Sequence, residues 1–178
     1  MRIQVEHDKK FILRTAGIFM HEGRVLLHRA EHEDLWALPG GGCEFFEDTK
    51  TALIRELEEE IEASIEVDQL VYVAENYFEW NGSKAHEIGF YFLARFSNAS
   101  MRFYDLKEFK GIERKMDGMT TFKLIFQWFP IEVLDKMNLK PEFLKSQLTG
   151  CHRTFKHIVN RSAPFQNVSK TSNSSEKR

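Results

Sequence analysis

Residues 49–62 run through Ala, Leu, Ile, Arg and Glu without a Gly or Pro, and they follow Gly40-Gly41-Gly42 and an Asp48 able to cap a helix. This stretch constrains the chain more than any other. Its composition predicts a helix from Asp48 to about Glu62. At about 100° per residue, Glu56, Glu59 and Glu60 share one arc, and Leu53, Ile54, Leu57 and Ile61 form an adjacent apolar one. The apolar arc must pack on something. The carboxylate arc must face something that tolerates three acids at i, i+3 and i+4, which repel one another. From Glu44 to Glu66 there are nine acidic residues against Lys50 and Arg55. Oxygen ligands in this pattern suit magnesium, or manganese, ions that keep waters and share positions with substrate phosphates. The bland alternative for the cluster is a solvated helix face, and for the glycines a plain turn.

The flanking segments alternate between apolar runs and turn signals. Phe11-Ile-Leu13 and Ala16–Met20, followed by Val25-Leu-Leu27 across His21-Glu-Gly23, predict a β-hairpin. Residues 67–80 and 86–96, with Asn81-Gly82 between them, predict two antiparallel strands. Residues 100–118 read as an insertion or long loop broken by Gly111 and Gly118. Strand character resumes over Phe122–Phe129. Ile131–Met137 is a short helix candidate, Pro141 opens another through Leu148, and His152–Val159 is a last strand. From Ser162 the chain is polar, so the expectation is one domain over 1–161 and a disordered tail over 162–178.

At 178 residues and 42% hydrophobic content the chain is long enough for one substantial core, with most of its sixteen Phe inside. A net charge of −2 and a pI near 6.4 give no broad basic field, so no stable nucleic-acid partner is expected. Cys43 and Cys151 form neither a disulfide framework nor a zinc pair, and no run of eighteen apolar residues occurs. The expectation is a cytoplasmic protein without a membrane span. Arg29 either reaches a substrate phosphate or lies on the surface. Tyr77, Phe78 and Trp80 either stack on a base or line the core, and His86 is more often packed than catalytic. Cys43 reads as a small filler.

The run Gly41-x5-Glu47-x7-Arg55-Glu56-Leu57-x-Glu59-Glu60 resembles the Nudix box, G-x5-E-x7-R-E-U-x-E-E-x-G-U, where U is a bulky aliphatic. Trp36-Ala-Leu-Pro-Gly-Gly41 also looks like the approach to that box. The box covers about an eighth of the chain. The resemblance implies an α/β/α sandwich around a mixed sheet and a metal-dependent pyrophosphohydrolase cleaving a diphosphate linkage in a nucleoside diphosphate derivative. It implies that Glu56, Glu59 and Glu60 ligate Mg2+ or Mn2+, or position the water, with the carbonyl of Gly40 as a further ligand. Arg55 would orient the carboxylates and Glu47 would tie to the loop. Glu59 and Glu56 are the candidates for the base, and Glu87 and Glu79 for the variant that takes it from further along the chain; Arg29 and Glu87 are the candidates for substrate contact. A homodimer is common in the family. Two positions depart from the pattern. Glu62 stands for the closing Gly, ahead of Ala63, and Phe46 stands where many relatives have Gly and could shield the loop. The rivals are a Nudix-fold module that binds a nucleotide without cleaving it, and an isoprenoid diphosphate isomerase, which would need a better-placed Cys than Cys43 or Cys151.

Overall fold

A computed structural model describes residues 1–80, 82–114, 121–150 and 154–162. The elements are β1 (Arg2–Glu6), β2 (Lys9–His21), β3 (Arg24–Ala30), α1 (Thr49–Ile61), β4 (Ile65–Trp80) and β5 (Ser83–Phe96). After a 3-10 turn at Asn98–Ser100 come α2 (Arg102–Asp105), β6 (Glu108–Arg114) and β7 (Thr121–Pro130). A second 3-10 stretch, Ile131–Lys136, precedes α3 (Phe143–Leu148) and β8 (Lys156–Arg161). The strands form one sheet in the order β6-β7-β3-β2-β5-β4-β8, with β1 beside β2. β2 with β5 and β4 with β8 run parallel and the other pairs antiparallel, so the sheet is mixed.

Both faces of the sheet are covered, and the period-two alternation of β2 explains how. Phe19 packs with Leu53, Leu57 and Ile61 of α1 and with Phe92, Phe96 and Phe126. Ala16 and Ile18 point the other way, into a second cluster with Tyr72, Tyr91, Leu134, Leu139, Leu144 and Leu148. Helix, sheet and helix therefore make the expected α/β/α sandwich. Thr15, polar and fully buried, is satisfied because its Oγ1 donates to the carbonyl of Thr49, pinning the start of α1 to the sheet at 2.8 Å.

Several expectations are corrected. The two apolar runs of 11–20 belong to a single strand, since β2 is continuous through Arg14 and Thr15. The loop expected at 100–118 contains a turn, α2 and the edge strand β6, and Gly111 lies inside β6 instead of breaking it. A Cβ at Gly111 would stand 2.7 Å from the Glu60 carbonyl oxygen, so the missing side chain lets β6 lie against the end of α1. Gly118 falls outside the described residues. The helix expected from Pro141 begins at Phe143, and the last strand occupies 156–161 instead of 152–159, with 151–153 outside the described residues. Ile54 is 39% exposed, and Ala52 takes its place on the buried arc. The tail from 163 on is likewise outside.

Helix α1 starts and stops as its sequence dictates. Asp48 accepts from the backbone of Lys50 and Thr51, and Glu62 ends the helix in the left-handed region at φ 54°. Phe46 has φ 64° and is 98% exposed, so it projects into solvent and does not shield the loop. Left-handed backbone costs an L residue about 1–2 kcal/mol, and glycine's greater unfolded freedom offsets part of that. Glu62→Gly and Phe46→Gly should each therefore raise stability, by about 0.5–1 kcal/mol, in urea denaturation. A loss in both variants would show that neither turn is strained.

Candidate active site

The strands β2 and β3 pair only at their turn, through Met20↔Val25 and His21↔Arg24, and then diverge. Residues 37–43 fill the fork. On one side His28 and Ala37 exchange backbone hydrogen bonds, and on the other Gly17, Thr15 and Cys43 bond to Pro39, Gly41 and Leu13. Two glycines make this possible. Gly40 has φ 136°, and a Cβ there would be 2.3 Å from the Thr15 carbonyl oxygen. A Cβ on Gly41 would be 2.2 Å from the Glu56 carboxyl carbon, so the loop touches the helix carboxylate directly.

Arg55 organises the acids around this contact. Its Nε and Nη2 donate to the two oxygens of Glu47 at 2.8 and 3.0 Å, a bidentate pair that holds the Glu47 carboxyl below the usual carboxylate range. Glu47 in turn accepts from the Glu44 backbone, closing the loop as expected. Nη2 also donates to the Gly42 carbonyl and, at 3.2 Å, to Glu56, while Nη1 donates to Glu59 at 3.2 Å. Glu59 is otherwise open to solvent, its side chain 58% exposed.

Glu60 lies on the inner side, 7% exposed. Its Oε2 is 3.9 Å from His28 Nδ1, too far for a hydrogen bond, and both atoms are buried without a partner among the described residues. Burial first, then the charges of Glu56 and Glu113, raise the Glu60 carboxyl well above the ordinary range. Burial likewise raises Glu56, and it lowers His28 to about 3, with Arg14 adding to that effect. A buried carboxylate oxygen without a donor, beside a second acid, is a place where a divalent cation fits. Among the described residues no three His, Cys, Asp or Glu side chains converge tightly enough to hold an ion by themselves, so carbonyl, water or phosphate oxygens would complete the set.

The other candidates lie elsewhere. Arg29 donates to the carbonyls of Ala30, Glu31 and Glu33 and lies over the Trp36 ring, so it braces the approach loop. Glu79 is exposed on β4, while Glu87 is buried on β5, on the sheet face turned from α1. Tyr77 stacks on His86 at 4.4 Å under Arg161, and the side chain of Trp80 is outside the described residues. Cys43 is buried and its thiol pushed up by burial, as a filler would be, and Cys151 is not among the described residues. Besides His28, two residues near the site were missed. Arg14 donates to the carbonyls of Leu38 and Gly40, and Glu113 of β6 lies near enough to act on Glu60.

The NUDIX domain profile matches residues 12–146, well over half of the chain. The chain belongs to the Nudix family. Over 61 residues it is 33% identical to "Putative ADP-ribose pyrophosphatase YjhB" of Bacillus subtilis strain 168, a match spanning 34% of this chain and 29% of that protein. The chain thus matches less than a third of the length of this curated relative. Its fold is similar to that of a Nudix hydrolase from Nitrosomonas europaea, with a TM-score of 0.56 and 17% identity over 85% of this chain and 79% of the other. It is also similar to the MutT protein of Bacillus halodurans, with a TM-score of 0.53 and 15% identity over 86% and 91%. Identities this low speak to the fold alone. The Nudix box here is the loop and helix just described, from Gly41 to Ala63. Among the described residues no helix is long and apolar enough to cross a membrane.

Proposed function

We propose that this Nudix chain is a pyrophosphohydrolase that uses Mg2+ or Mn2+ to cleave a diphosphate linkage in a nucleoside diphosphate derivative. The observation that carries this reading is Glu60, a buried acid with an unpartnered oxygen beside Glu56, on a helix whose Arg55 holds Glu47, Glu56 and Glu59. Glu56, Glu59 and Glu60, with the carbonyl of Gly40, would hold the ion. When bound, a divalent cation supplies charge neutralisation on phosphate oxygens and a more acidic water.

The chain's own residues do the rest. Glu56 is pressed against Gly41, so its carboxyl is fixed by contact on one side and by Arg55 on the other. Glu59 faces solvent in a geometry set by Arg55, and is the carboxylate best placed to take a proton from an attacking water. Arg14 puts a cation behind Gly40 and balances the acids from the sheet side. The name of the Bacillus subtilis relative makes ADP-ribose one substrate to test, alongside nucleotide sugars, dinucleoside polyphosphates, nucleoside triphosphates and capped RNA.

The experiment is a substrate panel assayed for phosphate or nucleoside monophosphate release with magnesium and with manganese. Release that disappears with chelator and returns with either ion is the expected result. Tight nucleotide binding with no turnover on any substrate would replace the hydrolase by a binding module.

A further inference from the structure

Arg14 brings a positive charge into a central strand of the sheet without pairing it to an acid. It lies on β2 at the fork, half-buried, across a single backbone bridge from Gly42. Among the described residues its hydrogen bonds run to two neutral carbonyls, those of Leu38 and Gly40, both from Nη2 at 3.2 Å, and to no carboxylate. The acids are nevertheless close. A Cβ on Gly41, the residue after the second of these carbonyls, would be 2.2 Å from the Glu56 carboxyl carbon. Burial raises the Glu56 and Glu60 carboxyls, and the Arg14 charge works against that rise in both.

The oxygen that Arg14 holds is the one that the hydrolase reading gives to the ion, and the two acids that feel its charge are two of that ion's carboxylates. In the chain alone the guanidinium therefore supplies positive charge where an ion would. A carbonyl oxygen has lone pairs for two partners, but two cations on one oxygen repel each other, and more strongly out of water. The other cation of the site is differently placed. Arg55 is fixed by a bidentate pair with Glu47. Arg14 has two single bonds from one nitrogen to neutral acceptors, which is the weaker hold.

We propose that Arg14 is an internal substitute for the ion, holding the Gly40 carbonyl beside Glu56 and Glu60 in the metal-free chain and releasing that carbonyl when an ion takes the site. It is a positioning residue that sets how tightly the site takes up metal. This rests on the hydrolase reading for the ligand set, and its test needs no turnover. Manganese uptake by the full chain without substrate is followed by loss of the free-ion electron paramagnetic resonance signal in wild type, Arg14→Met and Arg14→Lys. Arg14→Met removes the charge and should take up manganese at least about fivefold more tightly, because nothing at that position then repels the dication. Protons on the two acids gain from the same change, but a dication carries twice their charge and gains more. Arg14→Lys keeps the charge and should stay within about twofold of wild type.

Equal or weaker uptake by Arg14→Met would overturn the proposal and leave Arg14 as a brace of the loop. Uptake by Arg14→Lys as tight as by Arg14→Met would overturn it too, since charge would not be the cause. The wild-type chain decides the matter where a variant fails to fold. Phenylglyoxal, which modifies arginine, should label Arg14 severalfold faster with saturating magnesium than without, as located by mass spectrometry, and a rate that magnesium leaves unchanged or lowers would overturn the release. Tighter uptake by Arg14→Met without turnover of any substrate by wild type removes the hydrolase reading and leaves the role of Arg14 standing. Turnover by wild type with weaker uptake by Arg14→Met removes the role of Arg14 alone. No manganese uptake by any of the three chains removes the ion site and this role with it.

Discussion

Glu59→Gln and Glu60→Gln should each lower turnover by at least about a hundredfold while the fold remains intact. The two variants remove charge without changing shape, and they do so in opposite surroundings. Glu59 stands in solvent with one hydrogen bond from Arg55, so its loss touches little of the packing. Glu60 is buried with an oxygen that no described group satisfies and with the charges of Glu56 and Glu113 nearby. A neutral amide there relieves like-charge repulsion, so the metal-free Glu60→Gln chain should be at least as stable as wild type. Turnover, manganese titration and denaturant midpoint are therefore read together. Lost turnover and weaker manganese binding at an unchanged or higher midpoint is the expected pattern. Wild-type rates in both variants would remove the carboxylate site from the mechanism.

The helix and its loop were legible because everything that shapes them is local in sequence. A cap at Asp48, acids at i, i+3 and i+4, and an Arg eight residues after Glu47 are spacings, and the folded chain turns them into the capping bonds and the Arg55 fork. The helix end at Glu62 was legible for the same reason, since it stands where the resemblance has its closing Gly, and the chain there is left-handed. The rest of the site depends on distant partners. Arg14 is one of two polar residues, with Thr15, inside the apolar run 11–20, and its importance arises only when residues 37–43 enter the fork beside it. Glu113 and His28 meet Glu60 from β6 and β3, and nothing within either segment marks them. Outside that site the same holds for Asn76 and Glu87, eleven residues apart along the chain and directly opposite in register, a relation set by where the β4–β5 hairpin turns. The carbonyls that Arg29 holds belong to the loop that follows it, and that use of the side chain is visible only once the loop has folded back.

Arg55→Lys tests whether the site depends on charge or on geometry. Lys keeps the positive charge but offers one compact ammonium in place of a planar fork. Arg55 uses three nitrogens on four partners, with Glu47 held through both oxygens and Gly42, Glu56 and Glu59 each by a single contact. Lys can keep only some of these. The Glu47 side chain is 12% exposed, so losing half of the fork leaves a largely buried carboxylate oxygen poorly satisfied. The expected cost is about 1–3 kcal/mol of stability, with turnover down by at least about tenfold. A double-mutant cycle with Glu47→Gln separates the two effects. If Arg55 acts by holding the loop to the helix, the Glu47→Gln chain should lose much of the same stability and the pair should be strongly non-additive. Its turnover should fall less than that of Arg55→Lys, since Glu56 and Glu59 keep their donor. Additive losses would mean that the Arg55 contacts to Glu56 and Glu59 stand apart from its hold on the loop, and the view of Arg55 as the single organiser of this carboxylate set would fail.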